Sequence, residues 1–117
     1  MLSFVNKRVY LACGKTDMRK NINGLTAIVE GCFGLNPFDS AVFVFCNGQR
    51  DRLKILEWDG DGFWLYFKRL EKGRFRWPNP GDNATLTLTG AELSTLLDGS
   101  KVELKLRRKD IAERKFF

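Results

Sequence analysis

Between residues 41 and 77, short apolar runs alternate with turn signals, and this alternation restricts the chain to sheet-forming folds. AVFVF (41–45) is a continuous apolar run of the kind that a strand buried on both faces requires. CNGQRD follows, with Asn47-Gly48 suited to a tight turn. RLKILEW (52–58) alternates, Leu53 and Ile55 facing one way and Lys54 and Leu56 the other. DGDG (59–62) is a second turn signal, FWLYFKR (63–69) a third strand, and LEKG (70–73) a third turn. RFRW (74–77) reads as a fourth strand, stopped by Pro78. Turns this short cannot carry the chain across to a parallel neighbour, so the four segments are expected to form an antiparallel meander.

Other elements flank this region. RVYLA (8–12) reads as a short strand. In CGKTDMRK, Thr16 or Asp17 can cap a helix by accepting a bond from an orphan backbone N–H. Met18, Ile22, Leu25, Val29 and Cys32 then recur at helical spacing, which predicts a helix over 18–33 with Gly34 ending it and Pro37 beyond. Gly24 inside it costs ~1 kcal/mol against alanine and suggests a close backbone approach. Near the other end, Thr85 and Thr87 alternate with Leu86 and Leu88. Thr89-x-x-Glu92 is a capping box, followed by the stripe Leu93, Leu96 and Leu97 and a closing Gly99. VELKL (102–106) fits either a strand or a helix start. The expected class is α+β: an antiparallel β-meander sheet of four to six strands packed against one longer N-terminal helix, plus a short C-terminal helix. Residues 1–100 are expected as one domain and 101–117 as a basic C-terminal tail, with seven cations against three acids.

At 117 residues and 44% apolar content, one core is affordable without a staple. No apolar run approaches the ~20 residues of a membrane span, and MLSFVNKRVYLACGK lacks the apolar stretch and cleavage site of a signal peptide. Cys13, Cys32 and Cys46 are odd in number and widely spaced, with no metal-ligand pattern. They read as reduced core residues of a cytoplasmic protein. The net charge is +6, with pI near 9.5, which favours anionic partners and nucleic acid first. The chain has no histidine, which removes the commonest general base, the commonest zinc ligand and every Ser–His or Cys–His nucleophile.

Asp59-x-Asp61 has the spacing by which two carboxylates can hold a magnesium ion bridged to phosphate. Asp-Gly pairs between strands are also what a tight turn prefers, and that reading outweighs a metal site. A magnesium-dependent phosphodiesterase would need a third acid, for which Glu57 and Asp51 are the neighbours in sequence. The basic residues carry more. Arg50, Arg52 and Lys54 recur at a spacing of two, hence on one strand face, and Lys68, Arg69, Lys72, Arg74 and Arg76 follow on or between the next strands. Aligned, they form a basic stripe interleaved with Trp64, Tyr66, Phe75 and Trp77, a composition that suits phosphates and bases. The plain alternative is a solvated outer face with the aromatics packed inward. Arg19 and Lys20 sit in the first turn of the expected helix, where the macrodipole disfavours cations, so they fit an anion bound at that end or pairing with Asp17. Asp17 as a cap with Arg19 on the surface is nevertheless the favoured reading. No catalytic constellation and no cofactor motif is present.

The order TDMRK, FVF, KILEWDGDG, KRLEKGRFRWP and ELSTLLDG resembles the TnpB accessory protein encoded by the second reading frame of the insertion-sequence family numbered sixty-six. The likeness covers roughly residues 8–99. It implies a bacterial mobile-element protein that works beside a separate DDE-type transposase, with DNA and that transposase as partners. It implies no catalytic residues. Three functions follow as expectations: an accessory DNA-binding protein, a module docking on the transposase through KRLEKGRFRWP, and the metal-dependent phosphodiesterase.

Overall fold

The helix between the first two strands makes the sheet different from the one the short turns imply. The computed structural model describes residues 4, 6–79, 81 and 83–98. Strand β1 (Arg8–Ala12) leads into helix α1 (Ile22–Gly31), which returns the chain to β2 (Ala41–Cys46) parallel to β1, with Arg8 opposite Ala41 and Leu11 opposite Val44. The helix supplies the length that a parallel crossover needs. Strands β3 (Arg52–Trp58) and β4 (Phe63–Arg69) then meander antiparallel, as their turns require. Strand β5 (Thr85–Leu88) pairs antiparallel with the far side of β1 and leads into α2 (Gly90–Leu97). The sheet order is β4-β3-β2-β1-β5. The fold is α+β with a five-stranded mixed sheet and two helices, and the purely antiparallel sheet is corrected by the β1–α1–β2 crossover.

Both faces of the sheet are covered. On one, Leu25 and Val29 of α1 pack over Phe43, Phe45 and Leu56. On the other, Phe4, Phe75, Trp77, Leu93 and Leu96 close over Val9, Leu11, Val42, Val44, Leu53 and Ile55. This is why all six residues of β2 are buried, as the unbroken apolar run AVFVFC demands.

RFRW is not a strand. Phe75 and Trp77 point into the core at 2% and 3% exposure, while Arg74 and Arg76 face solvent. The segment crosses the sheet face as an extended chain, held by Phe75 N–H on the Arg50 carbonyl at 2.7 Å and Trp77 Nε1 on the Ala12 carbonyl at 2.9 Å. An extended crossing segment alternates in and out as a strand does, so periodicity does not separate the two. The VELKL segment and the basic tail lie outside the described residues.

Helix α1 starts at Ile22, later than the pattern predicts, with Asn21 rather than Thr16 or Asp17 at the N-cap. Asp17 instead accepts from the Arg19 amide at 2.9 Å, which forms a separate turn over residues 17–20. Gly34, at φ +65°, ends the helix region as expected. Gly24 faces the Lys20 side chain, whose Cβ an added methyl would meet at 3.2 Å, so the close neighbour is a stem of the preceding turn and not another backbone. Helix α2 carries the expected capping box: the Thr89 hydroxyl accepts from the Glu92 amide, and the Glu92 carboxylate accepts from the Thr89 amide. Of the cysteines, Cys46 is a core residue whose thiol burial pushes up to about 12, and Cys13 is half-buried. Cys32 is exposed at the C-cap of α1, which corrects its expected core role. No helix among the described residues is long and apolar enough to cross a membrane.

Trp77→Ala is expected to cost about 3–5 kcal/mol in urea unfolding, because it removes a large core side chain together with its bond to Ala12. Lys72→Ala, a few residues away and exposed, should stay within about 0.5 kcal/mol of the parent.

Candidate nucleic-acid interface

Parallel pairing brings the C-terminal ends of β1 and β2 together, so the loop after β1 and the turn after β2 become neighbours. Thr16 N–H donates to the Cys46 carbonyl at 2.7 Å, which joins them directly. The β2–β3 turn is organised by Asn47. Its Oδ1 accepts from the amides of Asp51 and Arg52, both at 3.0 Å, and its Nδ2 donates to Asp51 Oδ1 at 2.8 Å and to Gln49 Oε1 at 3.2 Å. Within this turn Arg50 holds φ +61°, an uncommon conformation for a residue with a side chain. The segment after β4 is tied to the same turn by Leu70 N–H on the Asp51 carbonyl and Phe75 N–H on the Arg50 carbonyl, both at 2.7 Å. Three loops are thus fastened at one end of the sheet.

That end is basic. Lys15, Arg19 and Arg52 line one depression beside Asn47–Gly48 together with Met18 and the exposed ring of Phe67. Lys15 and Arg50 line a second with Trp77 and Pro78, and Arg52, Lys72 and Arg74 line a third with Gln49 and Gly73. Arg52 lies directly opposite Arg69 across β3 and β4, a like-charge pair that is unfavourable without an anion nearby. Three carboxylates share this end: Asp17 with Arg19 at 2.8 Å, Asp51 with Arg52 at 3.5 Å, and Glu71 with Arg69 at 2.9 Å. Lys15, Arg50, Lys72 and Arg74 are exposed and form no ion pair with any described residue.

The stripe expected from alternation is therefore redistributed. Arg50 sits in the turn and not on β3, while Arg52, Arg69, Lys72 and Arg74 gather around it. Arg76 is exposed in the crossing segment. Lys54 shares a strand face with Arg52 but is only 8% exposed. Its ammonium donates to the Lys20 carbonyl at 2.7 Å and to Asn21 Oδ1 at 3.0 Å, so it anchors the start of α1 instead of meeting solvent. Lys68 is half-buried on the other face, where it donates to the Leu97 carbonyl. Phe75 and Trp77 are core residues, whereas Trp64 and Phe67 of β4 are more than half exposed. Lys15 joins the cluster although no motif singles it out. The signal was the strand–helix–strand order, because residues just beyond two parallel strands converge at their C-terminal ends.

Arg19 and Asp17 form a closed pair: Arg19 Nε and one terminal nitrogen reach both carboxylate oxygens. Bonds from the Arg19 side chain and then from its amide hold the Asp17 carboxyl at about 2, below its ordinary 3.8. Lys20 is exposed, with its backbone carbonyl taken by Lys54.

WDGDG lies at the opposite end of β3, as the turn into β4. Gly60 is at φ +81°, and Asp59 N–H donates to the Gly62 carbonyl. The Asp59 carboxylate accepts from Trp64 Nε1 at 2.8 Å. Glu57 accepts from Tyr66 Oη at 2.8 Å and lies 3.4 Å from Lys7 Nζ. Burial and then the Glu57 bond push the Tyr66 hydroxyl up to about 12. Among the described residues no three Cys, His, Asp or Glu side chains come together as a metal site.

The sequence profile of the family described as IS66 Orf2-like protein matches residues 7–107. This chain belongs to that family. It is similar to two proteins of Sinorhizobium fredii, each named as an uncharacterized protein. Protein y4hO is 40% identical over 80% of this chain and 81% of its own length, and y4jC is 37% identical over 79% and 78%. No solved structure matches. Membership makes this IS66 Orf2-like chain a transposition-associated accessory protein.

Two measurements check the site's assignments. Lys54→Ala should lower stability by about 1–3 kcal/mol, since it leaves the Lys20 carbonyl and Asn21 without their buried donor. By NMR titration, Asp17 should protonate near 2, and in Arg19→Ala it should return toward 3.8. Because the folded value is depressed, the pair's contribution is present above 3.8 and is lost as pH falls toward 2.

Proposed function

We propose that this accessory protein binds DNA through phosphate contacts made by the basic end of its sheet. The reading rests on one observation. Lys15, Arg50, Lys72 and Arg74, exposed and unpaired among the described residues, surround a turn that Asn47 holds rigid, with Arg19, Arg52 and Arg69 beside them. Cations fixed on a braced loop lose little freedom on meeting phosphate, and the counterions released drive association. Asp59 and Asp61 at the opposite end orient the molecule by repelling the duplex there. Residues 101–117, read as a basic tail of a single domain, add seven cations against three acids to the chain's net positive charge. Action on DNA beside a DDE-type transposase places the protein in the bacterial cytoplasm.

Docking on the transposase through KRLEKGRFRWP is the second reading. The burial of Phe75 and Trp77 removes that segment's aromatic anchors and leaves its charged side chains to offer. A phosphodiesterase built on Asp59 and Asp61 draws no support from a carboxylate already engaged by Trp64.

Titration of duplex DNA at rising salt tests the first reading. Neutralisation of about five phosphates predicts a slope of log K against log salt near −4 to −5. Arg50→Ala and Arg74→Ala should each reduce the slope by about 1 across unrelated sequences, while Lys54→Met leaves it unchanged. Absence of binding at low salt, or slopes indifferent to Arg50 and Arg74, would exclude DNA contact at this end.

A further inference from the structure

The sheet has two edges of different character. Strand β5 is four residues long, with Thr85 and Thr87 on its outer side. Strand β4 is seven residues long and, among the described residues, pairs only with β3. Its other side forms no backbone hydrogen bond with any described residue, and it lies beside Trp64 and Phe67, which are 55% and 56% exposed. Long apolar edges of this kind are usually shortened, bulged or covered, because they template strand pairing.

The order of residues along β4 selects its occupant. The strand begins with Phe63, Trp64, Leu65 and Tyr66 and ends with Phe67, Lys68 and Arg69. A parallel, in-register copy would place Lys68 on Lys68 and Arg69 on Arg69, which is unfavourable. An antiparallel copy, with the two-fold axis at Tyr66, places Trp64 opposite Lys68, Phe63 opposite Arg69 and Leu65 opposite Phe67, each pair occurring twice. Cations on aromatic faces and apolar side chains on each other are favourable cross-strand partners. The aromatic half of the strand thus matches the cationic half of its own reversed copy. Like-facing sides remain together: Trp64, Tyr66 and Lys68 share one face, and Phe63, Leu65, Phe67 and Arg69 the other.

We propose that β4 is a self-association edge, through which two copies of this chain pair antiparallel and extend the mixed sheet to ten strands. Both basic ends stay accessible, one at each side of the joined sheet, because the Lys15, Arg50 and Arg74 loops lie beyond the strand ends.

Sedimentation equilibrium of the full chain, with hydrogen exchange at low and high protein concentration, tests this. The parent should show a reversible monomer–dimer equilibrium, with slowed exchange at the outward-facing amides of Phe63–Arg69 only at high concentration. Trp64→Lys with Phe67→Lys should raise the dissociation constant at least about 100-fold by setting like charges and a charge on an apolar partner across the seam. Both sites are exposed, and an unchanged urea midpoint shows that the fold is retained. If the variant fails to fold, the concentration-dependent protection of β4 in the parent decides alone. A chain monomeric to high concentration, a dimer indifferent to both substitutions, or a β4 edge protected only when transposase is added would each overturn the second-copy assignment.

Discussion

The parallel pairing of β1 and β2 is the constraint on which the rest of the molecule depends. It exists because ten helical residues, α1, intervene between two apolar strands that would otherwise have to pair by a short turn. Once the two strands run the same way, the loop carrying Lys15 and the turn carrying Arg50 leave the sheet at the same end. The β3–β4 hairpin then adds Arg52 and Arg69 to that end through its antiparallel register. Lys54 secures the arrangement from beneath, since its ammonium holds the start of α1 against β3.

Charge is consequently sorted along the strands. Strand β3 begins at the basic end with Arg52 and runs to Glu57 and the Asp59 turn. On the proposed DNA-binding reading, such a polarised domain approaches the duplex with the Asn47 turn leading. Phe67 stands beside the Lys15–Arg19–Arg52 depression, so an aromatic face is within the same patch as the cations. The family context and this polarity arise independently, one from the family profile and the other from the sheet's register, and the proposal of DNA binding draws on both.

Local features were legible in the residues. The β2, β3 and β4 strands, their turns and the α2 capping box all follow from periodicity and turn chemistry within a few neighbours. What periodicity does not report is what covers a face. Arg52 and Lys54 share one side of β3, yet the first reaches solvent and the second lies under α1. RFRW alternates like a strand because it runs extended over a core that buries Phe75 and Trp77. Lys15 escapes notice for a different reason: its importance comes from a partner loop more than thirty residues away, which only the crossover brings alongside. The strand–helix–strand order contained that information, and the short turns downstream masked it by favouring an all-antiparallel sheet.

The central claim is that, among the described residues, the basic end and no other surface meets DNA. An NMR footprint of the chain with a short duplex at low salt tests it most directly. Among residues 4–98, the account predicts amide shifts confined to residues 14–19, 47–52 and 69–76, with Lys54, α2 and the Asp59–Gly62 turn unmoved. Shifts centred on α2 or on the Asp59 turn, with the Asn47 loop silent, would contradict it.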